Sequence, residues 1–115
     1  MRKYGRGVRR VPGQMNKLEA KYAEHLEINK TFGNILWWSF EPIKLRLADR
    51  TFYSPDFLVM SSDERMEVHE VKGTSRGKPW AEDDAMVKIK VAASIFPFKF
   101  LMIWKLKDGW QQKEF

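Results

Sequence analysis

The stretch Thr51–Gly73, TFYSPDFLVMSSDERMEVHEVKG, places two runs of branched and aromatic residues around the polar segment Ser61–Arg65. That pattern reads as a β-hairpin. A turn centred on Asp63 sets Met60 opposite Met66 and Leu58 opposite Val68, apolar against apolar beside the turn. Continued outward, the same register sets Asp56 against Glu70 and Ser54 against Lys72. Side chains alternate along a strand, so these residues share one face. Opposed Cβ atoms in such a pair lie about 4.5–5.5 Å apart. His69, between Val68 and Glu70, falls on the other face.

Two carboxylates facing each other beside Leu58, Val68 and two methionines are costly, through like-charge repulsion and through desolvation. A shared proton, the ammonium of Lys72, or a divalent cation between the two acids would each offset that cost. Hard carboxylate oxygens with a lysine and no nearby cysteine suit Mg²⁺ or Mn²⁺ better than Zn²⁺. A plainer reading is a salt-bridged hairpin with Glu70 and Lys72 as alternating surface charges. It leaves Asp56 unexplained, because Asp is a weak strand former and Pro55 before it interrupts a ladder.

Outward from the hairpin, residues 1–14 (MRKYGRGVRRVPGQ) carry Arg2, Lys3, Arg6, Arg9 and Arg10 with no acid. They read as a flexible basic arm able to track phosphates. Met15 to about Asn29 reads as a helix whose apolar stripe is Met15, Leu18, Tyr22 and Leu26, with Glu19 at its edge. Ile35–Phe40, Ile43–Leu47, Thr51–Met60 and Met66–Lys72 read as strands, and Gly73–Pro79 (GTSRGKP) as a flexible basic loop. Ala81 to about Phe96 reads as a second helix with Glu82, Asp83 and Asp84 in its first turn. Phe98–Lys107 reads as a buried strand, followed by a turn at Asp108-Gly109 and a short tail. The order αβββαβ, with one extra short strand, implies an α/β fold with a mixed central sheet flanked by helices. Residues 15–115 make one domain.

The composition fits that size. Of 115 residues, 43% are apolar and 14% aromatic, enough for a real core. Lys and Arg number 21 against 15 Asp and Glu, a net charge of +6, which favours a polyanionic partner. The absence of cysteine excludes disulfides, thiol catalysis and Cys-ligated zinc or iron–sulfur centres, and fits a cytosolic compartment. No apolar run is long enough to span a bilayer, so a membrane partner is not expected.

Pro55-Asp56 followed across the hairpin by Glu70-Val71-Lys72 resembles the motif of the PD-(D/E)XK nuclease superfamily. Thr51–Leu58, Glu70–Gly73, Trp80 with Asp83-Asp84 opening a helix, and Leu18-Glu19 in the first helix together resemble the phage endonuclease I family, which resolves four-way (Holliday) DNA junctions. The likeness spans about residues 4–104. It implies a restriction-endonuclease-like core and a phage or prophage protein acting in the bacterial cytoplasm. It implies that Asp56, Glu70 and the Val71 carbonyl hold Mg²⁺ or Mn²⁺, with Glu19 completing the site or holding a second ion. Lys72 would orient the attacking water and stabilise charge on the phosphate. A homodimer would cut both strands of a junction, and in the resembled family the segment matching Gly33–Leu47 is exchanged between subunits. Gly73–Pro79 is longer here than the matching stretch of that family.

Around that core, the arm cations, Arg76, Lys78 and, more weakly, Lys88 are the expected DNA-binding residues. His69 is expected to be non-catalytic, His25 structural, and Trp37-Trp38 to serve a core and a subunit interface. Two alternatives stay open: a general or nicking DNA nuclease without junction preference, and a non-catalytic basic nucleic-acid-binding protein.

Overall fold

Asn16 starts the first helix, α1 (Lys17–Thr31), in the computed structural model, which describes residues 13–79 and 83–115. The Asn16 side chain accepts from the Glu19 N–H at 2.8 Å and the Glu19 carboxylate accepts from the Asn16 N–H at 3.0 Å. This reciprocal capping box satisfies donors that the first helical turn would otherwise orphan. At the other end Gly33, with φ +80°, turns the chain out of the helix through a left-handed conformation that glycine tolerates best. The buried face of α1 is Glu19, Tyr22, Ala23 and Leu26. This corrects the expected stripe: Met15 and Leu18 are only half-buried, and Glu19 lies within the face instead of at its edge. Spacings of three, four and seven residues from Glu19 select Tyr22, Ala23 and Leu26 as its neighbours on one side of the helix.

The central sheet runs β1 (Ile35–Phe40), β4 (Phe57–Ser61), β5 (Met66–Val71), β8 (Lys99–Leu106), β9 (Gly109–Glu114) in spatial order. β5 and β8 are parallel and the other neighbours antiparallel, so the sheet is mixed. The expected hairpin register holds, with Leu58 opposite Val68 and Met60 opposite Met66. A second helix, α2 (Asp83–Ile95), connects to β8, and the hairpin β2 (Leu45–Ala48) and β3 (Thr51–Tyr53) packs against it. One core cluster forms between α1 and the sheet around Phe57, Val59, Val71, Leu101 and Ile103. The other lies under α2 and the β2–β3 hairpin, around Leu45, Tyr53, Leu58, Val68, Ile89 and Phe100. Phe57, Val59, Val68, Phe100, Ile103 and Ile89 are all but fully buried, each contributing roughly 1.5–3 kcal/mol of hydrophobic stabilisation.

Three elements differ from the sequence reading. Thr51–Met60 is not one strand: it leaves β3 at Ser54, passes through Pro55 and Asp56, and enters the main sheet as β4. Proline has no N–H for a ladder, so the chain changes sheets there. Gly73–Pro79 is not a flexible loop but a hairpin of β6 (Thr74–Ser75) and β7 (Lys78–Pro79). The C-terminal tail is a strand, β9, which pairs with β8 along its length. As an edge strand with one solvated face it needs few apolar residues, and its polar sequence hides it. No helix among the described residues is long and apolar enough to cross a membrane.

Candidate active site

The sheet change at Pro55 sets Asp56 just before β4, beside the C-terminal end of β5. Ladder pairing stops at Phe57 opposite His69. Asp56 therefore does not continue the register to Glu70. Its Oδ2 instead accepts the Val71 N–H at 2.9 Å, and its own carbonyl accepts the Glu41 N–H at 2.8 Å. Pro55 is fully buried and Asp56 is 7% exposed. Burial first, then the charge of Glu70, pushes the Asp56 carboxyl up to about 8, with Glu19 adding to the rise. The Val71 N–H and Lys72 oppose it.

Glu70 is bracketed by two donors. The Tyr53 hydroxyl donates to its Oε1 at 2.7 Å, and the Lys72 ammonium lies 3.1 Å from its Oε2. Burial and Glu70 push the Tyr53 phenol far above its ordinary value, so it stays a donor. Tyr53 is the site residue that sequence reasoning missed. Its available signal was an aromatic three residues before Asp56, but with Thr51–Met60 read as one strand it fell on the wrong face. Lys72 follows β5 and is anchored by its N–H to the Ile103 carbonyl at 2.8 Å.

Asp56, Glu70, Val71 and Lys72 thus come together at one end of β5. Glu19 is 2% exposed and close enough for its charge to act on Asp56, while one of its oxygens serves the capping box. Among the described residues no three His, Asp or Glu side chains gather closely enough to form a ready-made metal cage. The chemistry of the donor set still fits a divalent cation. Two buried carboxylates, Glu19 and Asp56, and the half-buried Glu70 beside Lys72 gather negative charge there, and burial together with the repulsion from Glu70 that raises Asp56 is what a hard cation would relieve.

The remaining expected residues are scattered. Arg76 and Lys78 are exposed on the β6–β7 hairpin next to Lys72. Lys88 lies on α2, 3.8 Å from Asp84 one turn earlier. Arg2, Lys3, Arg6, Arg9 and Arg10 lie outside the described residues. Gly13, where the described chain begins, donates its N–H to the Glu41 carboxylate at 3.0 Å. Gly13 therefore lies next to the loop that holds Asp56.

His69 points to the α1 side. Its Nδ1 is 2.6 Å from the Tyr22 hydroxyl and its Nε2 is 2.8 Å from the Glu67 carboxylate. The carboxylate can only accept, so Nε2 carries the proton and Tyr22 donates to Nδ1. This buried relay, Tyr22–His69–Glu67, ties α1 to the sheet. His25 has partners that its sequence context did not show: it stacks on Tyr22, lies beside Trp110 and meets Asn29. Trp38 packs on the α1 core and donates to Glu27, whereas Trp37 is exposed.

No protein family matches this chain, and neither curated proteins nor solved structures yield a match.

Proposed function

We propose that the chain is a metal-dependent DNA endonuclease with a restriction-endonuclease-like core of the PD-(D/E)XK type, selective for branched DNA in the manner of the phage junction resolvases it resembles. The observation that carries this reading is the meeting of Asp56, Glu70 and Lys72 at the end of β5, with Asp56 buried against a second carboxylate.

Asp56 and Glu70, with the Val71 carbonyl, would hold Mg²⁺ or Mn²⁺. Glu19 would complete the site or share a second ion. When bound, the cation supplies Lewis acidity toward the scissile phosphate and its water. The protein's own groups supply the rest. The Val71 N–H fixes the Asp56 carboxylate, and Tyr53 and Lys72 fix Glu70. The Lys72 ammonium, 3.1 Å from Glu70, would orient the attacking water and offset charge on the phosphate. Hydrolysis in line leaves 5′-phosphate and 3′-hydroxyl ends.

The net charge of +6, with Arg2, Lys3, Arg6, Arg9 and Arg10 close together in the sequence, supports a polyanionic substrate. A homodimer would present two sites to a four-way junction. The edge strand β1, with Leu36 and Trp37 exposed, is a surface suited to that association.

The test is incubation of labelled four-way junction and linear duplex of matched sequence with Mg²⁺, Mn²⁺, Ca²⁺ or chelator. Metal-dependent cleavage, faster on the junction and lost in Asp56→Asn, is expected. Equal cutting of both substrates would leave a general nuclease. Uncut DNA in every Mg²⁺ and Mn²⁺ lane would refute the enzymatic reading and leave a DNA-binding protein.

A further inference from the structure

The residues after Lys72 form an exposed hairpin near the site. β6 and β7 are joined by a two-residue turn, Arg76-Gly77, with φ values of +55° and +77°. Two successive left-handed residues define the tight hairpin turn whose twist matches paired strands. Asn-Gly, Asp-Gly or Gly-Gly occupy it at least strain. This chain places an arginine at the first position, where a Cβ is disfavoured. A strained residue kept at a tip directs attention to what its side chain does. Thr74, Ser75, Arg76, Gly77 and Lys78 are all exposed. Among the described residues no carboxylate pairs with Arg76 or Lys78.

We propose that the β6–β7 hairpin is a groove probe: it enters the major groove of duplex DNA beside the cleavage site, with Arg76 leading and Lys78 on the flanking backbone. This rests on the nuclease reading for its orientation and adds to it the form of the substrate. The dimensions agree. A B-DNA major groove about 12 Å wide and 8.5 Å deep admits a two-stranded ribbon. The four steps of chain from Lys72 to Arg76 span at most about 13 Å, more than the groove is deep. Lys72 can therefore stay at a scissile phosphate while the tip reaches the groove floor. An A-form RNA duplex has a deep, narrow major groove that excludes such a ribbon. The hairpin thereby favours DNA over RNA duplexes.

The decisive variant is Arg76→Gly in the full chain. Glycine retains the left-handed turn and relieves its strain, so the fold is kept or stabilised. Affinity is measured with Ca²⁺ in place of Mg²⁺, on a DNA duplex, on the same duplex with bulky groups on the pyrimidine C5 positions that fill the major groove, and on an RNA duplex. The variant is expected to bind the plain DNA about tenfold more weakly. The loss should show in KM and not in kcat. The C5 groups should weaken the wild type and not the variant, and RNA binding should be weak and indifferent to the substitution. Wild-type affinity of the variant for plain DNA overturns the proposal, as does an equal loss on DNA and RNA or a loss confined to kcat. A wild type that shows the Arg76-dependent binding but cuts nothing with Mg²⁺ would retain the probe and remove the nuclease.

Discussion

Replacing Asp56 by asparagine should stabilise the metal-free protein while abolishing cleavage. The Asp56 carboxyl is pushed up to about 8, well above the ordinary carboxylate range, chiefly by burial and then by Glu70. At about 1.4 kcal/mol per unit, the ionised form costs the fold at most about 6 kcal/mol. Relaxation and water at the rim of the site reduce this toward about 2–3 kcal/mol. The sign follows from proton binding. The folded chain holds the Asp56 proton more tightly than the unfolded chain, so this contribution is full below about pH 4 and is lost as pH rises through about 8. Asparagine has no charge to bury. Its carbonyl can keep the Val71 N–H bond. In chelator at pH 8 the variant should unfold at higher urea than the wild type, by about 2–3 kcal/mol. The gap should close toward pH 4. Excess Mg²⁺ should stabilise the wild type by mass action and leave the variant unmoved. A variant less stable than the wild type at pH 8, or a gap that does not shrink on acidification, would show that Asp56 is not held under charge stress and would remove the physical ground for a cation there.

Other substitutions separate the roles of neighbouring groups. Glu19→Gln keeps an acceptor for the Asn16 N–H but removes the charge near Asp56, so urea stability should hold while cleavage falls at least about tenfold; if cleavage is unchanged, Glu19 is only a cap. Tyr53→Phe removes the donor on Glu70 Oε1 and should lower stability by about 1–3 kcal/mol and slow cleavage, measured as kcat at saturating Mg²⁺. Unchanged values for both would dismiss Tyr53 as a positioning residue. His69→Leu strips partners from Tyr22 and Glu67 and should cost about 2–4 kcal/mol, with Mg²⁺ affinity of the folded protein unaltered. A selective loss of Mg²⁺ binding would assign His69 to the site after all.

The legibility of this chain varies with the range of the forces involved. The β4–β5 register could be read because it depends on neighbours in sequence: a polar turn at Asp63 and apolar partners on either side of it. The mixed α/β order and both helices were readable for the same reason. The pairing of Asp56 with Glu70 was recognisable as an electrostatic problem. Its geometry was not, because Pro55 ends the ladder and sends Asp56 to the Val71 N–H. β9 escaped notice because an edge strand with polar residues carries no apolar alternation. The β6–β7 hairpin escaped because its turn is Arg-Gly where Asn-Gly would have announced it.

Local pattern, then, was sufficient for the hairpin, the two helices, the basic balance of the chain and the candidacy of Asp56, Glu70 and Lys72. Only folding in three dimensions assigned β3 and β4 to different sheets, put Tyr53 on Glu70, and buried Glu19 within reach of Asp56. The reason is that alternation and turn chemistry act over a few residues. The electrostatics of Asp56 depend instead on groups as far away in the chain as Glu19 and Glu70, and these meet only when α1 and the β2–β3 hairpin have packed against opposite faces of the sheet.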